Sequence, residues 1–283
     1  MVISVLTIVK NRVAHLRNLV EGLRRSTIPP LELVIVDMSD EPVGRPVADF
    51  PVRVIRHATH GLPLAQARNL AAARATSPSL LFLDVDCIPS SDLISAMADA
   101  VNSQDGLICA EIQYLPEGAA NDGRWCEATL RAVGMPHPAR RFPAAGLVAE
   151  PNSGLFWSLA FGISAEAFDR ISGFDEGFTG YGAEDTDFAF RAREVGLDLY
   201  FLGGTCAYHQ HHDVFDPPLQ HFDDIVRNAR IFHARWGFWP MVGWLDAFAE
   251  SGFISREGST LTVNRFPIAS EIRAAKQPQS HPF

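Results

Sequence analysis

Apolar positions along the chain fall into two periods. Ile3–Val9, Leu31–Val36, Val52–Arg56 and Leu80–Leu83 are short apolar runs bounded by polar or breaking residues, the pattern of buried strands. Between them the period lengthens. Leu16, Leu19, Val20 and Leu23 recur at helical spacing before Ile28-Pro-Pro30, and an Ala-rich helix opens near Gly61 and extends to about Ala75. A helix over 90–101 follows, capped by Ser90 or Ser91, with Leu93, Ile94, Met97 and Val101 inward, and Leu107–Leu115 is the next strand. Strands alternating with helices of this length predict an α/β fold with a mostly parallel central sheet flanked by helices.

From Pro116 to Pro151 the pattern dissolves into Pro, Gly and Ala around Trp125 and an Arg140-Arg141 pair, which predicts a loop or lid. Regular patterning resumes at Glu184, where a helix presents Phe188, Ala189, Ala192 and Val195 inward and stops at Gly196. Leu199–Leu202 reads as a strand, and 219–235 and 240–250 as helices. No strong pattern follows Ser255, and Lys276–Phe283 is expected to fray. The chain divides into a first half, 1–115, a second half of the same domain, 116–255, and a tail, 256–283.

The strands end in chemistry. Asn11 and Arg12 follow the first, Asp37 the second, and Asp84 with Asp86 the Leu80–Leu83 run. In an open α/β sheet these ends share one edge, where ligands bind. If the chain stays extended, Asp84 and Asp86 point to one side. Two hard oxygen ligands there suit Mg²⁺ or Mn²⁺ carrying a phosphorylated substrate. Asp37 also has a structural use as the cap of a turn. The chain has no G-x-G-x-x-G after its first strand and no G-x-x-x-x-G-K-[ST], so phosphate would be held by metal and basic side chains instead.

Composition narrows the class. With 47% hydrophobic and 20% charged residues the chain reads as an ordinary globular protein, and its net charge of −9 argues against a nucleic-acid partner. Cys87, Cys109, Cys126 and Cys206 form no Cys-x-x-Cys pair; Cys87 and Cys109 are expected in the core, and a reducing, cytoplasmic setting is expected. No apolar run approaches the roughly 18 residues of a membrane span. The aromatic cluster Trp236–Trp244 is left for core packing, a substrate wall or peripheral membrane contact.

The most unusual stretch runs from Ser172 to Arg191, with glycines at 173, 177, 180 and 182 ahead of Glu184-Asp185. The glycines permit tight turns and close approach to a ligand. The helix dipole alone would stabilise both carboxylates. In a functional reading one takes a proton from a substrate hydroxyl while the other hydrogen-bonds the same molecule. Downstream, His209, His211 and His212 crowd into four residues, and one of them near Asp86 would complete an Asp/His metal site.

Taken together, Thr7-Ile-Val-Lys-Asn-Arg12, Val34-Ile-Val-Asp37, Ala65-Gln-Ala-Arg-Asn69, Asp84-Val-Asp86, Gly173-Phe-Asp-Glu, Gly180-Tyr-Gly-Ala-Glu-Asp185 and Ala207-Tyr-His-Gln210 resemble a family 2, GT-A-type inverting glycosyltransferase over roughly residues 1–245. The second half looks most like the galactosyltransferase-type module shared with chondroitin polymerases, with Tyr181 where Trp is usual. The resemblance implies a GT-A fold and a UDP-sugar donor, with GDP-linked donors as the variant. A hexose or N-acetylhexosamine would pass to a carbohydrate or other hydroxyl acceptor with inversion. Thr7, Asn11, Arg12, Asp37, Arg68 and Asp84 would contact the donor, Asp37 at the base and Arg68 at the base or diphosphate. Asp86 and His209 would ligate Mn²⁺ or Mg²⁺, with His211 and His212 lacking a counterpart. Asp185 would be the catalytic base and Glu184 an acceptor contact, with Tyr181, Gly182 and Trp157 on the acceptor side. The competing readings are a sugar-phosphate nucleotidyltransferase and a non-catalytic carbohydrate-binding protein.

Overall fold

The computed structural model describes residues 2–59 and 61–278. The first half alternates as expected: β1 (Ser4–Val9), α1 (Val13–Arg24), β2 (Glu32–Asp37), β3 (Val52–Arg56), α2 (Leu64–Ala72), β4 (Ser79–Leu83), β5 (Cys87–Pro89), α3 (Leu93–Ser103) and β6 (Gly106–Tyr114). Then come α4 (Glu127–Val133), β7 (Met135–Pro136), β8 (Gly146–Glu150), β9 (Ala160–Ser164), α5 (Ala165–Ile171), α6 (Glu184–Glu194) and β10 (Asp198–His209). The chain continues through α7 (Phe222–Trp236), α8 (Val242–Glu250), the hairpin β11 (Ile254–Glu257) and β12 (Thr260–Val263), and α9 (Ala269–Ala274). Ten strands form one sheet in the order β3-β2-β1-β4-β9-β6-β10-β5, with β7 beside β6 and β8 beside β10. Strands β1 to β4, β6 and β10 run one way, and β5, β7, β8 and β9 run against them.

Strand alternation builds two cores. Val5 and Val9 face α1 and α3, whereas Leu6 and Ile8 face α2, α5 and α6. Helix α1 has no side-chain cap, yet Leu16, Leu19 and Leu23 are buried. Each such burial is worth about 1.5–3 kcal/mol against about 1 for a cap, so packing decides that helix. A third cluster joins α7, α8 and the β11–β12 hairpin.

Several expectations need correction. The segment 116–151 is not one loop: it contains α4, β7 and β8. Neither Ser90 nor Ser91 caps α3; Asp92 holds the cap position without a side-chain bond, and Ser90 Oγ donates to it at 2.6 Å. Val195 is 43% exposed, and Leu197 takes the inward place instead. The region after Ser255 is structured through the hairpin and α9, and Phe215 bridges Lys276. The rest of the tail, from residue 279, lies outside the described residues. Cys87 and Cys109 are buried as expected. Among the described residues no helix is long and apolar enough to cross a membrane.

Two features aim the functional edge. Strand β10 pairs Leu202 with Ala110 but Cys206 with Glu111, so Gly203-Gly204-Thr205 is extra and kinks the strand. A Cβ on Gly203 would lie 1.8 Å from the Pro143 carbonyl oxygen, so the kink admits only glycine there. Beyond it β10 leaves β8 for β5, which carries His209 opposite Cys87. Helix α6 is fixed by Asp187, fully buried, which accepts from Arg191 at 2.8 Å, Arg235 at 2.6 Å and Trp236 Nε1 at 3.0 Å. Asp187→Asn strips a buried carboxylate from two guanidiniums. The expected loss is about 3 kcal/mol, at the low end for a broken buried pair because Arg235 is partly solvated, read as a lower urea midpoint at unchanged slope.

Candidate active site

At the end of β4 the chain does not stay extended. Cys87 N–H donates to the Asp84 carbonyl at 2.9 Å, so Asp84 and Asp86 lie on a tight turn into β5. The Asp86 carbonyl accepts from Gln210 N–H at 2.7 Å, which pins the turn to the end of β10. Ligating atoms of Asp86, His209 and His212 then lie within 4.8 Å of one another. His212 joins the cluster, while the carbonyl of His211 faces His15 Nε2 at 3.3 Å. His15, which the sequence did not single out, places Nδ1 3.8 Å from Asp86 Oδ1, and Arg12 donates to Oδ2.

The electrostatics suit a metal. Burial is the largest single influence on the Asp86 carboxyl and pushes it upward, but Arg12, His209 and His212 together outweigh it and hold the group below the usual carboxylate range. Burial lowers His209 to about 3, so its imidazole is neutral with a lone pair to offer. Asp86 Oδ1 is buried without a hydrogen-bond partner. An orphaned carboxylate oxygen beside two imidazoles fits a divalent ion such as Mn²⁺. Asp84 behaves differently: burial, then the Asp86 charge, raises it to about 6.

The donor-side expectations map to the same edge. Asn11, at φ 57°, is stapled to the end of β2: its N–H donates to Ser39 Oγ at 2.9 Å, and its side chain exchanges bonds of 2.8 and 2.9 Å with Asp40. Asp37 is buried and accepts from Ser39 N–H, Val43 N–H and Arg56, the turn-capping use of that residue. The Ser39 hydroxyl also bonds this carboxylate, so its roughly four lone-pair directions are taken. Thr7 is buried inside β1 with an unpartnered Oγ1. Arg68 is also buried and donates to Glu184 Oε1 at 3.1 Å, so these two expected substrate contacts hold each other.

Asp185 stands beside that pair at the start of α6. Thr186 N–H donates to its Oδ1 at 2.7 Å, while burial, then the Glu184 charge, raises its carboxyl to about 7. The loop before it is clamped by α7. Asn228 donates to the carbonyls of Thr179 and Gly182 at 3.1 and 2.9 Å, and a Cβ on Gly180 (φ +75°) would fall 2.0 Å from Asp224 Cγ. Tyr181 stacks on His221 at 4.5 Å and leans on Trp244 at 6.0 Å, so the exposed aromatic face is continuous from Tyr181 to α8. Trp236 and Trp239 of the aromatic cluster instead bond within the fold. Trp157 meets His137 edge-on at 4.7 Å.

The comparisons with known proteins bear on family and fold. The model for glycosyl transferase family 2 matches residues 4–165, more than half of the chain, and one described as the N-terminal domain of galactosyltransferase matches 151–213. Validoxylamine A glucosyltransferase of Streptomyces hygroscopicus subsp. limoneus is 27% identical over 225 residues, 70% of this chain and 49% of that protein. Pre-mycofactocin glycosyltransferase of Mycobacterium tuberculosis is 28% identical over 219 residues, 74% and 43%. The chain thus spans about half the length of these relatives. Among solved structures, GalNAc-T7 with UDP, GalNAc and Mn²⁺ superposes at TM-score 0.56 and 17% identity, over 75% of this chain and 43% of that one. S. aureus TarS 1–349 with UDP does so at 0.56 and 16%, over 81% and 64%. These likenesses show the GT-A fold. The chain belongs to glycosyl transferase family 2.

Proposed function

We propose that the chain transfers a hexose or N-acetylhexosamine from a UDP-sugar to an acceptor hydroxyl, with inversion and with Mn²⁺ or Mg²⁺ bound. The observation that carries this reading is the presence of two unlike acidic sites, at the end of β4 and at the start of α6, with Arg68 acting on Asp84 and Asp185 alike. One is an ionised Asp86 with His209 and His212; the other is Asp185, whose carboxyl is held near neutrality. The UDP and Mn²⁺ named with the structural neighbours support the choice of donor and ion. The free cysteines fit a cytoplasmic setting.

Asp86, His209 and His212 would hold the ion, which when bound neutralises charge on the diphosphate leaving group. Arg12, now on Asp86, is free to turn to phosphate once the carboxylate has another cation. Asp84 lies next to it for the ribose. Asn11 fixes the loop over the donor, Thr7 lies beneath that edge, and Asp37, bonded within its own turn, would exchange one of those bonds to meet the nucleobase. Arg68 holds Glu184 and sets its orientation toward the acceptor. The acceptor sugar lies on Tyr181, with Gly182 and Trp157 beside it, since an aromatic face suits a sugar ring. Asp185 accepts the acceptor proton as the oxygen attacks the anomeric carbon from the face opposite the diphosphate.

A base with a pKa near the working pH is the efficient choice. Asp185→Asn should therefore lower transfer about 10²–10⁴-fold while UDP binding persists, and near-normal transfer would sink the assignment. The same shift has a stability consequence. A carboxyl raised from 3.8 to about 7 on folding favours the fold below pH 4, and that contribution is lost as pH rises through about 7. Asp185→Asn should thus unfold at a higher temperature than the parent at pH 8 and show no such gain at pH 4. The ion is tested separately. Replacing His209 and His212 together by Ala should weaken Mn²⁺ binding at least about 10–100-fold, the loss typical of removing even a ligand's supporting residue, and an unchanged Mn²⁺ titration would refute the cluster.

A further inference from the structure

Helix α1 buries Leu16, Leu19, Val20 and Leu23, and with them Asn18, which is 7% exposed. Asparagine is a poor helix former, and a buried amide costs free energy unless it is hydrogen-bonded. Both ends of this amide are used. Nδ2 donates to the Ala120 carbonyl and to Gln210 Oε1, each at 2.7 Å, and Oδ1 accepts from Trp125 Nε1 at 3.1 Å. Gln210 is the matching buried amide, 4% exposed. Its Nε2 donates to the His15 carbonyl at 3.2 Å, and its backbone N–H donates to the Asp86 carbonyl at 2.7 Å. The far end is anchored as well: Arg25 lies over the Trp125 ring at 4.3 Å and donates to the Trp125 carbonyl at 2.6 Å.

This network meets the ion cluster at one residue. Gln210 follows His209 directly, precedes His212 by two positions and bonds the backbone of Asp86. Strand β10 ends at His209, so strand pairing does not reach His212. The His212 ring bonds locally, Nδ1 donating to the Asp213 carbonyl at 3.0 Å, which leaves Nε2 facing Asp86 Oδ2 at 3.8 Å. Where the Gln210 side chain is seated therefore sets where the chain carrying both imidazoles leaves the sheet. Packing alone does not call for amides here. Replacing both partners of a buried hydrogen bond by apolar groups of the same shape can be nearly neutral for stability, whereas a satisfied polar network specifies one arrangement.

We propose that Gln210 is the positioning residue of the ion cluster and that Asn18 acts through it. The buried amide pair fixes the separation of Asp86, His209 and His212, and so sets the affinity and coordination geometry of the bound ion. This rests on the reading of those three groups as ion ligands. His15 joins the arrangement from the same helix: its carbonyl holds Gln210, and its ring faces Asp86 and the His211 carbonyl.

Calorimetric titration of the intact chain with Mn²⁺, in UDP, tests the assignment. Gln210→Met keeps the length of the side chain and leaves Asn18 bonded to Ala120 and Trp125. It should weaken Mn²⁺ binding about 10–100-fold, the loss usual for a ligand's supporting residue. It should also change the visible absorption of Co²⁺ bound in place of Mn²⁺, which reports ligand geometry, while unfolding in chelator near the parent's temperature. A residue that only packs the interior would do the reverse. A lower unfolding temperature with unchanged Mn²⁺ affinity and an unchanged Co²⁺ spectrum overturns the proposal. Asn18→Leu leaves Gln210 in place and should also weaken Mn²⁺ binding. It decides the matter if Gln210→Met does not fold, and unchanged Mn²⁺ affinity there overturns the proposal. Since Asn18 acts through Gln210, the double variant should lose no more affinity than Gln210→Met alone, and fully additive losses overturn that dependence. A parent chain that binds no Mn²⁺ overturns the ion cluster and this proposal together. Binding by the parent that is undiminished in Gln210→Met overturns the positioning role alone.

Discussion

The structure turns on keeping one carboxylate ionised inside the protein. Asp86 is 5% exposed, and an ionised group taken from water costs several kcal/mol unless partners replace its hydration. Those partners come from distant parts of the chain: Arg12 from the end of β1, His209 and His212 from the end of β10, and the Gln210 N–H that holds the turn. The glycine kink in β10 and the three-residue β5 exist to bring these ends together. A sheet ending in other directions would leave the acid unpaired.

Around that acid, environment assigns different work to similar groups. Asp86 faces a fixed cation and remains charged, which suits an ion ligand. Asp84 and Asp185 are buried near other carboxylates and hold their protons to about 6 and 7. Pushing the pKa values of neighbouring acids apart is how one site separates binding from proton transfer. Arg68 tempers that shift: it pairs with Glu184 and draws Asp185 back down, while burial and the Glu184 charge push Asp185 up. Arg140 extends the pattern, as a buried charge with no ion pair to an acid among the described residues and the Cys109 thiol beside it.

Much of this was legible in the residues. Continuous apolar runs made β1, β2 and β4 readable, because strands buried on both faces need apolar residues throughout, while β3, at the sheet edge, is short and partly exposed. The gathering of Asn11, Asp37, Asp84 and Asp86 on one edge followed from that topology. Strand β5 was not legible, since three residues after an acidic turn carry no period, and its pairing with β10 is a tertiary fact. Nor were β9 and α5, which are short and adjoin without a breaker. His212 has no periodic relation to Asp86; only the turn beyond β10 brings them together. Arg140 stood out merely as half of a basic pair, because a cation's lack of an acid can be seen only once its surroundings are placed.

The ion-holding Asp86 cluster is the claim on which the rest depends. Its most direct test is calorimetric titration of the intact chain with UDP, in Mn²⁺ and again in a chelator. The account predicts that UDP binds with one Mn²⁺ per chain and that chelation abolishes or greatly weakens binding. UDP binding of equal strength in both conditions would contradict it.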